Sequence, residues 1–195
     1  MNQAELACGL ILASSSPRRL DLLAQIGIVP SAIMPAGIDE SPAPRELPRP
    51  HAQRLAREKV LRVAQSGAYT LAADTVVAVG RRILPKADDI DQARKCLTLL
   101  SGRRHHVFTA IALVAPDGKL TSRCVDSAVI FARLTSAQIE DYLVSGEWRG
   151  LAGGYGIQGR AASFVRSLSG SYSGVVGLPL HETANLLRGA GFLRP

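Results

Sequence analysis

Leu10-Ile11-Leu12-Ala13-Ser14-Ser15-Ser16-Pro17-Arg18-Arg19 is a short apolar run, three hydroxyls, a proline and two cations. The apolar run reads as a buried strand. Ser16 then stands at an N-cap position, Pro17 at the first helical position, and Leu20, Leu23 and Ile26 form an apolar stripe that Gly27 ends. A strand that feeds directly into a helix is the grammar of an α/β chain. Ile28 to Met34 reads as a second strand. Six of the eleven prolines fall between Pro30 and Pro50, which makes that stretch an extended loop with Asp39-Glu40 inside it.

Further along, a helix is expected from about His51 to Ser66, closed by Gly67. Leu71 to Val79 reads as a strand, with a tight turn at Gly80-Arg81 into Ile83-Leu84. Asp88 or Asp89 caps a helix whose Ile90, Ala93, Leu97 and Leu100 share one face. Val107 to Ala115 and Leu120 to Leu134 pair across Pro116-Asp117-Gly118, and Thr135 with Gln138 makes a capping box for a helix reaching Val144. A glycine-rich stretch, Gly146 to Gly159, precedes a strand from Ser163 to Leu168, and Pro179 to Arg188 is a last amphipathic helix. Hairpins alternating with helices predict a mixed central sheet with flanking helices rather than a purely parallel one.

A chain of 195 residues, 47% of them hydrophobic, fits one domain with a sizeable core, and residues 1–195 are read as that domain. The most apolar strand, Leu71 to Val79, is interrupted by Asp74, and Met1 to Gly9 lacks the layout of a signal peptide, so a soluble cytoplasmic protein is expected. Cys8, Cys96 and Cys124 are odd in number and far apart, which argues for reduced thiols and against a disulfide framework or zinc site. His181-Glu182 opens like a zinc-binding helix, but Asn185 occupies the second ligand position. The formal charge of +7 is spread along the chain and only 5% of residues are aromatic. That balance suits a small polyphosphate at least as well as a nucleic acid, and no nucleic-acid or membrane partner is expected.

Three places carry candidate chemistry. Arg18 and Arg19 sit in the first helical turn, where the helix dipole already favours negative charge; an anion held between them would relieve the conflict. Local physics equally allows Ser16 to act as a plain cap with both arginines in solvent. Asp74 is a carboxylate inside an apolar strand, which needs a cation, a metal or good donors, and such acids in clefts are suited to proton transfer. Lys86 follows the hairpin and can reach the same end of the sheet, and Asp39-Glu40 matter if their loop folds over a cleft, where oxygen ligands suit Mg²⁺. Gly154-Tyr155-Gly156-Ile157-Gln158-Gly159 matches a dinucleotide fingerprint in the wrong context, with no strand before it and no helix opening after it. No Walker A sequence is present.

Taken together, Leu10 to Arg19, Ala73-Asp74-Thr75-Val76-Val77, Leu100-Ser101-Gly102, Tyr155 to Gly159, Gly170-Ser171-Tyr172 and Val175 to Leu180 resemble, in order and spacing, the Maf family of nucleoside triphosphate pyrophosphatases. The resemblance implies two lobes around a cleft, similar to the inosine triphosphate pyrophosphatase fold. It also implies Mg²⁺- or Mn²⁺-dependent hydrolysis between the α- and β-phosphates of a nucleoside triphosphate substrate. By position it makes Asp74 the base that activates water, with Glu40 beside it toward the metal. Lys86 is a further catalytic group, and Ser14, Arg18, Arg19, Lys59, Thr75 and Gln158 are substrate-binding residues. Asp74-Thr75 and Gly156-Ile157-Gln158 resemble the branch preferring dTTP and UTP over 7-methyl-GTP, with Arg18, Thr75 and Gln158 at the base. The family often forms homodimers, and two alternatives stand beside the leading one: the same chemistry on another base such as 7-methyl-GTP, and, from the effect on septum formation behind the family's name, a nucleotide- or nucleic-acid-binding regulator. Two departures stand out: Pro85-Lys86-Ala87 replaces Gly-Lys-Pro, and Leu151 replaces a lysine.

Overall fold

The computed structural model describes residues 9–194, so Cys8 and the stretch read against a signal peptide, up to Cys8, lie outside the described residues. The strands are β1 (Leu10–Leu12), β2 (Ala32–Ile33), β3 (Tyr69–Val79), β4 (Arg82–Leu84), β5 (Arg104–Val114), β6 (Leu120–Phe131) and β7 (Val165–Ser169). The helices are α1 (Pro17–Gln25), α2 (Pro48–Val63), α3 (Ile90–Leu100), α4 (Ser136–Ser145), α5 (Tyr172–Val176) and α6 (Leu180–Gly189). All seven strands join one sheet in the order β2-β1-β3-β5-β6-β7, with β4 also on β3. β1 runs parallel to β2 and β3, while every other pairing is antiparallel, so the sheet is mixed as expected.

The sheet contains a gap that makes the site. One edge of β3 is paired with β5 from Thr70 to Ala78. β4 pairs with Val77 to Val79, two of which already face β5, so it must lie on the other edge. That other edge also carries β1, which reaches only from Tyr69 to Leu71. Between β1 and β4 the edge of β3 from Ala72 to Val76 therefore has no neighbouring strand, and Asp74 and Thr75 stand in the opening. Side chains alternate between faces along a strand, so these two neighbours point to opposite sides of the sheet and still border one opening.

Alternation also sorts the core. Ile11, Ala72, Val76, Ala110 and Ala112 pack under α2 through Ala52, Ala56 and Val60. Leu10, Leu12, Leu71, Ala73, Ile111 and Leu113 pack on the other face against Leu22 and Leu23 of α1 and Leu186 and Leu187 of α6. A third cluster, around Phe131, Trp148 and Tyr155, joins α3 and α4 to the far end of the sheet.

Several boundaries differ from the expectations. α2 begins at Pro48, three residues before His51, because Pro48 and Pro50 fall in the first turn, where no intrahelical N–H is required; it ends at Val63 rather than Ser66. The strand expected over Ile28 to Met34 shrinks to Ala32–Ile33, since Pro30 has no N–H to give a ladder and Val29 is exposed. β5 starts three residues before Val107, and β6 ends at Phe131 rather than Leu134. Arg160–Phe164 is a 3-10 turn, so β7 begins at Val165 and not at Ser163. α5 was not anticipated: its only signal is Ser171, whose hydroxyl accepts from the Gly174 amide. The capping box at Thr135 and Gln138 forms, and Asp89 rather than Asp88 caps α3 through Gln92.

Candidate active site

Ser14 to Arg19 forms one wall of a cleft of about 500 Å³ at the gap in the sheet, a size in the usual range for ligand sites. Ser16 occupies the N-cap of α1, yet its side chain makes no capping hydrogen bond. The buried Ser14 hydroxyl instead accepts from the Ser16 amide at 3.2 Å and from Arg19 Nη1 at 2.8 Å. Arg19 Nε donates to the Gly177 carbonyl at 3.0 Å, tying the turn to the segment after α5. Arg19 thus spends two donors on the wall and has others left, while the half-buried Arg18 makes no side-chain hydrogen bond among the described residues. Burial lowers the pKa of both guanidiniums; for Arg19, Asp74 opposes the shift, Arg18 adds to it and Glu40 opposes it again. Two crowded, partly dehydrated cations at a helix N-terminus favour an anion.

Opposite this wall runs a row of alternating charge. Lys59 Nζ of α2 donates to Asp74 Oδ1 at 2.6 Å and contacts Glu40 Oε1 at 2.5 Å, and Lys86 Nζ pairs with Glu40 Oε2. Asp74 and Lys59 are buried, at 3% and 7% exposure, which meets the requirement that an interior charge be paired. Burial would raise Glu40, but the hydrogen bonds from Lys59 and Lys86 outweigh it and hold the carboxyl at about 2. With Arg18 and Arg19 across the cleft, four cations face two carboxylates, so the site carries a net positive charge.

The loop bearing Glu40 is pinned by a clamp that the sequence did not reveal. Glu46 accepts from Arg54 Nε at 2.8 Å, contacts His51 Nδ1 at 2.9 Å and accepts from the Ala43 amide at 2.9 Å. Arg54 Nη2 also donates to the carbonyl of Ser41, next to Glu40. The hydrogen bond from Arg54, with help from the Ala43 amide and His51, holds the Glu46 carboxyl at about 2. Asp39 does not join the site: it accepts from the Ser41 amide and turns the loop.

The glycine-rich stretch closes the cleft. Gly154 to Gly159 leads into a 3-10 turn, not into a dinucleotide-binding helix. Gly153 has φ +68°, and a β-carbon there would lie 2.9 Å from Val77 Cγ1, so only glycine lets the chain pass this close to β3. The Gln158 amide folds over Gly156, where a β-carbon would lie 2.9 Å from Nε2. Lys86 and Ala152 form a bridge flanked by hydrogen bonds from the Gly150 amide to the Ala87 carbonyl, from the Ala87 amide to the Leu151 carbonyl and from the Gly153 amide to the Pro85 carbonyl. Pro85, Ala87 and Leu151 depart from the family pattern, and a proline at 87 would have no N–H for the middle bond.

Behind this wall, fully buried His105 holds Tyr155 through a 2.7 Å contact between Nε2 and Oη. In the sequence His105 hides in the basic run Arg103 to His106; strand alternation with Val107 and Thr109 was the signal that it points inward. Burial pushes the imidazole down to about 4 and the Tyr155 hydroxyl up, so both stay neutral near pH 7. The unfolded chain, with an ordinary histidine near 6.5, therefore binds a proton that the folded chain refuses between pH 6.5 and 4. We expect stability from this group to be complete above pH 6.5 and to fall by about 3 kcal/mol as the pH drops to 4. His105→Gln should flatten that part of a urea-denaturation pH profile; an unchanged slope would exclude His105 as its source.

Burial also raises the thiols of Cys96 and Cys124, the latter to about 11. None of the described helices is long and apolar enough to cross a membrane.

Nine residues expected at the site, Ser14, Arg18, Arg19, Glu40, Lys59, Asp74, Thr75, Lys86 and Gln158, border this cleft, and Asp39 does not. The chain is 63% identical to the dTTP/UTP pyrophosphatase of Rhodospirillum rubrum, over 94% of this chain and 88% of that one. It is 60% identical to the dTTP/UTP pyrophosphatase of Paramagnetospirillum magneticum, over 94% and 97%. A HAM1 protein from Coxiella burnetii shares the fold with a TM-score of 0.50 at 16% identity, over 92% of this chain and 98% of that one. The Maf-like protein model matches residues 9–190, from the edge of β1 past the end of α6. With the whole cleft inside that match, the chain belongs to the Maf-like protein family.

Proposed function

We infer that the protein hydrolyses the α–β phosphoanhydride of a nucleoside triphosphate, releasing the monophosphate and pyrophosphate, with dTTP and UTP as the leading substrates. The observation that carries this reading is the row Lys86-Glu40-Lys59-Asp74 facing Arg18 and Arg19 across one cleft. Arg18, Arg19 and Lys86 are placed to take up phosphate charge, and Ser14 and the first-turn amides of α1 add donors. Asp74 accepts the proton of the attacking water as its oxygen bonds to phosphorus, and the bridging P–O bond breaks to release pyrophosphate. Lys59 keeps the carboxylate oriented from behind. The base preference rests on the relatives' activity and on Thr75 and Gln158 at the neutral end of the cleft.

Glu40 and Asp74 also fit a divalent cation such as Mg²⁺ or Mn²⁺, which commonly takes one or two carboxylates and completes its shell with substrate phosphates. Both carboxylates already meet at one ammonium, that of Lys59, so their oxygens converge on a position suited to positive charge. Such an ion supplies neutralisation of the triphosphate.

A panel of nucleoside triphosphates with Mg²⁺, read by pyrophosphate release, tests the reading. Release from dTTP and UTP ahead of other nucleotides is expected. No release from any nucleotide, together with salt-sensitive DNA binding, would replace the enzyme with a regulator.

A further inference from the structure

The two sides of the cleft differ in character because β3 alternates. Asp74 points toward α2, with Lys59, Glu40 and Lys86 beyond it. Thr75 and Val77 point the other way, where Val107, Val175 and Gln158 complete a neutral lining. A triphosphate belongs on the first side, and an uncharged base, apolar on its faces and polar on its edge, belongs on the second.

Thr75 and Thr109 are paired across β3 and β5, with their hydroxyl oxygens 3.2 Å apart. Thr109 is 1% exposed, and its oxygen lies 2.7 Å from the Gly174 carbonyl of α5. A hydroxyl has one proton, and a carbonyl can only accept. Thr109 Oγ1 is oriented to donate both to the Gly174 carbonyl at 2.7 Å and to Thr75 Oγ1 at 3.2 Å, but its single proton goes to the shorter bond, whose carbonyl can only accept, which leaves Thr75 to supply the proton between the two hydroxyls. Thr75 then has no proton left for the cleft and presents lone pairs alone.

We propose that Thr109 is a positioning residue for base selection: by taking the Thr75 proton it makes Thr75 an obligatory acceptor, which favours a pyrimidine carrying a ring N–H, as uracil and thymine do at N3, over cytosine, whose N3 is an acceptor. The inference rests on the hydrolase reading above and deepens it. A base that offers an acceptor to Thr75 leaves two lone pairs opposed in a partly dehydrated site, and sites built to bond a polar hydrogen reject ligands that lack it.

The test compares kcat/KM for UTP and CTP in the wild type, Thr109→Val and Thr109→Ser. Valine keeps the shape and removes the acceptor, so Thr75 is free to turn its proton into the cleft. The UTP-to-CTP ratio is expected to fall by about tenfold or more in Thr109→Val and to be restored in Thr109→Ser, which keeps both hydrogen bonds. A ratio unchanged in a folded Thr109→Val overturns the proposal. Should that variant not fold, the wild type decides through N3-methyl-UTP: a loss of about tenfold or more against UTP supports the proposal, and equal use of the two overturns it. A wild type that releases no pyrophosphate from UTP would instead refute the hydrolase reading. In that case the same variants are compared by calorimetry with α,β-methylene UTP and CTP, whose binding needs no turnover. Preference for the UTP analogue that is lost in Thr109→Val and kept in Thr109→Ser supports the role of Thr109, and any other pattern overturns it.

Discussion

Asp74→Asn is expected to lower kcat by about 10²–10⁴-fold, the range for removing a general base, while nucleotide binding persists. The substitution keeps the side chain's volume and its oxygen toward Lys59. Lys59 also keeps Glu40 at 2.5 Å, so the variant leaves no bare buried ammonium and tests the chemistry rather than the fold. Single-turnover pyrophosphate release, alongside calorimetric binding of a non-hydrolysable triphosphate, separates the two quantities. Near-normal turnover would remove Asp74 from its role. A variant that neither binds nor turns over would make Asp74 a binding residue instead.

Lys59→Met is the second large effect, and it appears in stability. Lys59 is the only cation of the described residues that touches both Asp74 and Glu40. Without it, Asp74 at 3% exposure loses its partner. Removing one member of a buried pair costs about 3–5 kcal/mol, because the other is left dehydrated and unpaired. The double variant Lys59→Met/Asp74→Asn should recover part of the loss, since the orphaned charge is gone. Urea denaturation of the wild type, both single variants and the double variant completes the cycle. If the double variant is as unstable as the sum of the singles, the pair is not coupled and this account fails.

How much could be read from the chain alone depended on range. Elements with local signatures were legible: the Thr135–Gln138 box, the Gly80-Arg81 turn, and the strand, proline and helix around Ser14 to Arg19. Asp74 was legible as an anomaly, a charge in an apolar strand. Its partner was not, because Lys59 lies fifteen residues earlier on a helix and nothing in its neighbourhood distinguishes it from a solvated lysine; only the family resemblance picked it out. The Glu46–Arg54–His51 clamp was hidden for the same reason, being formed by a loop folding back on α2. The helix α5 was missed because five residues carry too little periodicity to register. The gap between β1 and β4 was invisible too. It follows from two short strands sharing one edge of a longer one, which is a property of pairing and not of any single segment.

That gap bears on which insertions and deletions the chain can tolerate. Asp74 and Thr75 serve opposite sides of one opening only because they are adjacent on a strand whose parity is locked by nine successive rungs to β5. Losing or gaining a single residue between Leu71 and Asp74 would send the carboxylate to the neutral side and the hydroxyl to the charged side, or else turn the strand's apolar residues out of both cores. The spacing along β3 is thus as constrained as the identity of Asp74 itself. Length can drift only where parity has no meaning and no site residue is carried, as in the turn at Pro116 to Gly118.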